Sequence, residues 1–445
     1  MTDRSDLPDA LAAAFLSGAW TETALRRRAR EALAPPPRTP LPWLGPLVAR
    51  VLDGYPRPPH DRPRELRAYV AGALDALRVW PRPHARRFFL PPARMADRRP
   101  WPGLPTLDTS GDLAAFLDVE PGQLAWLADV RSRERTADDR RLRHYTYAWI
   151  ARPGAPVRLL EQPKARLKSI QRRLLRELLV EIPAHDAAHG FVPGRSVAGH
   201  AAAHAGAATV LRFDLEDFFV SLPAGRIYGI LRRAGYPEAV AHLLTGLTTN
   251  AVPPGAWADI PVPDDPRLRR AHGLLGRRLA TPHLPQGAPT SPLLANLCAF
   301  TLDRRLAGLA ARLGATYTRY ADDLVLSGDR RLARGATRLT ETVAAIAASE
   351  GLRLNARKTA VMPAAGRQQV TGIVVNAHPN VARDEYDRLK AILHNAARHG
   401  PESQNRDHVP DFRGHLRGRV AWVASLNPSR GAKLRDRFDA IAWER

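Results

Sequence analysis

The sequence predicts an α+β protein with a helical extension ahead of its main body. Three patterns predict it. Residues 1–104 hold helix-like segments separated by proline-rich joints. From 105 to 375, short apolar runs with strand character alternate with amphipathic helices, and 376–445 is helical and basic. Alternation with a period of two marks a half-buried strand, whereas a 3.6-residue period marks a helix with one apolar face. Three units with these boundaries are therefore expected.

In the first unit LPDALAAAFL, ETALRRRAREAL and RELRAYVAGALDALRV read as helices, joined by APPPRTPLP, YPRPPHDRP and WPRPHARRFFLPPAR. Proline lacks a backbone donor and disfavours helix in the residue before it, so the joints are turns or extended links. In the second unit Thr109 or Ser110 caps the helical run LAAFLDVEPGQLAWLADV, and ARLKSIQRRLLRELLVEI is an amphipathic basic helix. AATVLRFDLEDFF is an apolar strand ending in acids, and PLLANLCAFTLDRRLAGLAARLG is one long helix. ATYTRYADDLVLSG reads as a hairpin with an acidic turn. A further helix runs from Arg334 and is capped by Gly351. DRLKAILHNAARHG and FRGHLRGRVAWV supply the basic helices of the third unit.

Composition narrows the partners. The 445 residues carry 67 Lys and Arg against 44 Asp and Glu, a formal charge of +23. A field of that sign attracts polyanions, and phosphate neutralisation supplies the sequence-independent part of nucleic-acid affinity. The single cysteine, Cys298, excludes an intramolecular disulfide and any multi-cysteine zinc site. The N-terminus has acids where a signal peptide has bases, and no run reaches the roughly 18 apolar residues of a membrane span. A cytoplasmic protein that meets no membrane is expected.

Against this basic background stand Asp322 and Asp323 in TRYADDLVL, and Asp214 at the end of VLRFD. If their strands are neighbours, three carboxylates converge and raise one another's pKa unless a cation intervenes. Hard divalent cations with oxygen ligands, chiefly Mg²⁺, answer that need, and a pair of them serves in-line phosphoryl displacement. The plain alternative is a solvated acidic turn.

The order of four blocks makes residues 105–445 resemble reverse transcriptases: FDLEDFF, then LPQGAPTSPLLANL, then YADD, then LNARKTAVM. The resemblance implies a right-hand polymerase fold of fingers, a palm with an antiparallel sheet, and a helical thumb. It implies RNA-directed DNA synthesis from dNTPs on a two-Mg²⁺ site held by Asp214, Asp322 and Asp323. Gln286 and Gly287 would approach the nucleotide, Phe219 would sit against the sugar and disfavour a ribose, and Arg158 and Lys358 would meet the triphosphate and the outgoing pyrophosphate.

Further segments resemble the retron branch, whose enzymes make a branched RNA–DNA hybrid. These are AHGFVPGRS, the run GHAAAH with His200 and His204, and VTGIVVN with Val370, Thr371 and Gly372. His200 stands where that branch usually has asparagine. The likeness implies a structured noncoding RNA as template and primer, DNA as product, and antiviral defence with an effector protein. RNA contacts would fall on His200, His204, Val370, Thr371 and Gly372, and on Arg413, Arg417 and Arg419 of the thumb. For the two histidines a packed core position is the alternative. Rival readings are another bacterial reverse transcriptase class (group II intron-like, diversity-generating or defence-associated), or an RNA-binding scaffold without activity.

Overall fold

The computed structural model describes residues 6–34, 40–78, 84–85, 101–137, 139–152 and 154–443. Much of the proline-rich joints at 34–42 and 80–94 lies outside the described residues. The N-terminal helices Asp6–Leu16, Glu22–Ala32, Leu44–Gly54 and Pro63–Ala76 bury Leu11, Phe15, Leu25, Leu47, Leu66 and Leu74 in an apolar cluster of their own. Thr21 caps the second helix and Pro63 starts the fourth, where a missing N–H costs nothing. Two short strands, β1 (Leu33–Ala34) and β2 (His84–Ala85), pair antiparallel beside them. This layer attaches to the main body through a buried ion pair, Arg232 to Asp61 at 2.7 Å. Glu238 adds to the joint, its side chain accepting from the Arg64 amide and its own amide donating to the Asp61 carbonyl.

In the main body β3 (Tyr145–Arg152) and β4 (Ala155–Pro163) form an antiparallel hairpin. Leu159 of β4 packs with Val252, Leu275 and Leu279, which fixes the hairpin against the helix Pro266–Leu279. A four-stranded antiparallel sheet follows, made of β5 (Thr209–Asp214), β6 (Thr316–Tyr320), β7 (Asp323–Gly328) and β8 (Ala360–Pro363), in the order β6-β7-β5-β8. Its pleat divides two cores: Leu211, Phe213, Leu324 and Leu326 face the larger, while Val210 and Val325 join Val370, Ile373 and Val375 in the smaller. A last short hairpin joins β9 (Gln369–Val370) to β10 (Ile373–Val374). The C-terminal helices Arg383–His399, Phe412–Leu426 and Pro428–Asp439 gather around Leu389, Leu393, Leu416 and Leu434. Among the described residues no helix is long and apolar enough to cross a membrane.

Two expectations change in detail. The long helix over PLLANLCAFTLDRRLAGLAARLG is broken at Ala299 (φ −84°, ψ 0°) into Ser291–Cys298 and Phe300–Arg312. The helix expected from Arg334 starts afresh at Ala336, and Gly351, with φ +73°, closes it through bonds from the Gly351 and Leu352 amides to Ala348 and Ala347. Thr109 and Asp112 form a reciprocal capping box on the helix Ser110–Leu117.

Beneath β3 lies Glu134, a buried acid whose carboxylate accepts from the Tyr145 amide. Burial pushes its pKa up to about 7. A folded-state value above the unfolded one favours folding at pH below the unfolded value, and that contribution is lost as pH rises through about 7. Glu134→Gln keeps the acceptor and removes the charge. Thermal melts should therefore show a smaller fall in stability between pH 5 and 8 than the wild type, with a net gain at pH 8.

Candidate active site

The sheet register carries the site. Asp214, the last residue of β5, lies opposite Asp323, the first residue of β7, and the Leu215 amide donates to the Asp322 carbonyl at 2.9 Å. Asp214 and Asp323, distant in sequence, thus stand on adjacent strand ends, with Asp322 in the turn beside them. Ala321, just before them, adopts φ +54°, a left-handed conformation that turns the chain between β6 and β7. Asp214 is buried and receives two donors, Lys358 Nζ at 2.7 Å and Asn355 Nδ2 at 3.4 Å. Burial, and after it the Asp214 charge, raise the Asp322 pKa, with Lys358 and Arg158 opposing. Burial and the Asp322 charge push Asp323 up to about 6, and Arg212 offsets part of this.

Asp214 and Asp322 line one cleft of about 670 Å³ together with Arg158, Phe219, Gln286 and Lys358. Asp323 is not among its lining residues. Among the described residues no three His, Cys, Asp or Glu side chains close around a common ion position. The convergence is one of strand ends, and the Lys358 ammonium holds the Asp214 carboxylate. Phe218 and Phe219 both line the cleft, Phe218 as a buried member of the larger core and Phe219 half-buried against it. Asp217 at φ +48° reverses the chain between strand and aromatics, and its carboxylate accepts from Arg278 at 2.9 Å.

The Gln286–Gly287 turn is fastened to β4, where the Glu161 amide donates to the Gln286 carbonyl at 2.9 Å. Gly287 has φ +135°, and a Cβ there would stand 2.7 Å from the Glu161 carbonyl oxygen. Both facts exclude a side chain. Gly287→Ala should cost about 1–3 kcal/mol of stability, as forced backbone strain does, and should raise the KM for dNTPs. Thermal melts and steady-state incorporation check the two effects.

Residues 150–376 match the family model described as "Reverse transcriptase (RNA-dependent DNA polymerase)". The chain is 42% identical over 336 residues to the Retron Mx65 reverse transcriptase of Myxococcus xanthus, covering 75% of this chain and 71% of that one. It is 36% identical to the Retron Mx162 reverse transcriptase of the same organism, over 74% and 66% of the two chains. To the Retron Ec86 reverse transcriptase of Escherichia coli it is 30% identical, over 75% and 89%. The chain belongs to the retron reverse transcriptases.

Several positions where the retron likeness implied RNA contacts are buried. His204 is 1% exposed, and its two ring nitrogens bond Ser327 Oγ at 2.7 Å and Thr318 Oγ1 at 2.6 Å. It clamps β6 to β7 and faces no solvent. His200 is fully buried against the rings of His189, His204 and Tyr320, and burial pushes its pKa down to about 3. Val370 is likewise buried, inside the smaller core. Thr371 and Gly372 are the two residues of the β9–β10 turn, with φ +46° and +86°, and Gly372 is exposed. On the helix Phe412–Leu426, Arg413 and Arg417 share an exposed face, and Arg413 stands over Trp443. Arg419, six residues on from Arg413, lies about 120° around the helix and is half-buried.

Two buried networks of this retron enzyme were not read from the sequence. Glu161 and His283, both fully buried, pair at 2.9 Å, and Asn250 Nδ2 donates to Glu161 at 2.7 Å. Arg319 and Asp303, also fully buried, pair at 2.6 Å. The available signal was a charged residue inside an alternating apolar strand, in VRLLEQP and in TYTRY, which demands a partner when buried.

Proposed function

We propose that this retron-type RNA-directed DNA polymerase works as a right hand, with the β3–β4 hairpin and its helices as fingers. The β6-β7-β5-β8 sheet is the palm and the helices from 376 onward the thumb, while the N-terminal helices, joined to the body at Asp61 and Arg64, brace it. The observation that carries the reading is one cleft lined by Asp214, Asp322, Arg158, Lys358, Phe219 and Gln286.

The donor set fits divalent magnesium: hard carboxylate oxygens at two adjoining strand ends, with Asp322 and Asp323 raised in pKa by burial and by the neighbouring acids. Asp214 and Asp322 would hold the ions, with Asp323 behind them. Bound Mg²⁺ supplies activation of the primer hydroxyl and neutralisation of the leaving oxygen. The chain's own groups do the rest. Lys358 holds Asp214 before substrate enters, and its half-exposed ammonium then turns to the outgoing pyrophosphate. Arg158 grips the triphosphate with its planar fork, in the cleft that it shares with Asp322. Gln286 presents a polar side chain to the nucleotide from a turn pinned at its own carbonyl.

Phe219 lines the cleft, where its ring would stand against the sugar and disfavour a 2′-hydroxyl. Phe219→Ala should raise ribonucleotide incorporation about tenfold or more relative to deoxynucleotide, the scale on which pocket shape discriminates. Competition assays with matched rNTP and dNTP measure it.

The template is a structured noncoding RNA, primed from an internal 2′-hydroxyl, and the branched product acts with an effector in antiviral defence. The positive field of the chain and the exposed Arg413 and Arg417 support a polyanionic partner. The test is nucleic acid copurified from cells that carry the protein with its neighbouring noncoding DNA. DNA joined to RNA through a 2′ linkage, released by debranching enzyme, is the expected result. Unbranched RNA alone from an enzyme active on annealed primers would point to another reverse transcriptase class.

A further inference from the structure

The turn that carries Asp322 is gripped from behind. The Arg319 guanidinium, fully buried, donates from Nε and Nη2 to the two oxygens of Asp303 at 2.8 and 2.6 Å. Tyr317 adds its hydroxyl to Asp303 at 2.9 Å. The remaining arm, Nη1, divides between Asn296 Oδ1 at 2.9 Å and the Ala321 carbonyl at 3.0 Å. That carbonyl belongs to the peptide unit whose N–H is Asp322's. Asn296, 1% exposed, passes the contact on, and its Nδ2 donates to the Gly190 carbonyl at 2.7 Å. The segment at 187–189 is bonded to the Arg319 backbone in both directions at 2.7 Å. Gly190 fits so closely that a Cβ would stand 2.9 Å from the Ala321 amide.

We propose that Arg319, held by Asp303 and shared with Asn296, is a positioning residue that fixes the Ala321–Asp322 turn relative to the cleft. The inference rests on Asp322 being a metal ligand. Ala321 is a non-glycine residue at φ +54°, a conformation that persists only where surroundings over-determine it. The surroundings here are one guanidinium and one carboxamide that join three stretches of chain: the loop at 187–191, the helix Ser291–Cys298 and the turn itself. A buried ion pair alone needs only Asp303. The Nη1 arm, spent on a backbone carbonyl beside a reacting carboxylate, is what a purely structural pair would not require. Lysine in place of Arg319 has no fork to reach both partners.

Two variants separate the roles. Asn296→Ala leaves the ion pair whole and frees one side of the clamp. Arg319→Met with Asp303→Leu removes the pair and the clamp together and leaves the Tyr317 hydroxyl and Asn296 Oδ1 without these partners, so thermal melts first establish which preparations are folded. In folded variants kcat for single-nucleotide addition should fall on the order of 100-fold, as sub-ångström to 1 Å misplacement of catalytic groups does, while dNTP KM stays within about twofold. Hydrogen exchange without added metal gives a second readout. In Asn296→Ala the amides of 320–323 should exchange faster than in the wild type, while those of 324–327 stay unchanged. Wild-type kcat in either folded variant overturns the proposal, and so does unchanged exchange at 320–323 in Asn296→Ala. A wild-type chain that incorporates no nucleotide would instead refute the functional reading and leave the exchange result standing.

Discussion

Asp322→Asn should abolish nucleotide incorporation, by about 10³-fold or more, while leaving RNA binding intact. The magnitude follows from the proposed role of Asp322, a carboxylate that would stabilise transition-state charge through bound metal. The stability effect should run the other way. Asp322 carries a raised pKa because burial and Asp214 oppose its charge, so at neutral pH its ionisation costs the folded state. That cost is absent at pH below the unfolded value and grows as pH rises through the folded one. The neutral amide removes it, so at pH 8 without Mg²⁺ the variant should melt higher than the wild type. Added Mg²⁺ should stabilise the wild type more than the variant. Asp323→Asn is the control: its side chain lies outside the cleft lining, and it should lose less activity. Primer extension beside thermal melts measures both signs. Full activity in Asp322→Asn would refute the assignment.

Glu161→Ala should be the most damaging change away from the aspartates. Glu161 accepts from His283 at 2.9 Å and from Asn250 at 2.7 Å, with Glu161 and His283 at 0% and 1% exposure. Removing one partner of a buried pair costs about 3–5 kcal/mol because the other is left uncompensated. Burial opposes the protonation of His283, but the charge and hydrogen bond of Glu161 outweigh it and hold the imidazole pKa above its ordinary value. Such a group favours folding below its unfolded pKa and loses that contribution as pH rises through the folded value. Glu161→Gln should therefore lose more stability at pH 6 than at pH 9, and thermal melts across that range decide it. Incorporation should suffer too, since the buried pair secures the strand on which Arg158 stands three residues away. A pH-independent loss would mean that His283 is neutral in the pair.

The sequence alone determined the local chemistry. An apolar strand that ends in an acid, a hairpin tip with two more, and a Gly-Ala-Pro-Thr-Ser-Pro run before a helix are all written in short stretches of neighbouring residues. The order of these blocks carried the family. Capping at Thr109 and Gly351 was equally local and equally legible. Tertiary structure decided which of two adjacent aspartates lines the cleft, because strand side chains alternate and a register shift of one residue would exchange them. It also decided that His200 and His204 are buried, since a residue's exposure is set by the sheet laid over it. The partners of Glu161 and Arg319, 122 and 16 residues away, come together only when separate elements pack. A charge in a strand announces that it needs a partner; only the closed fold brings that partner within hydrogen-bond reach.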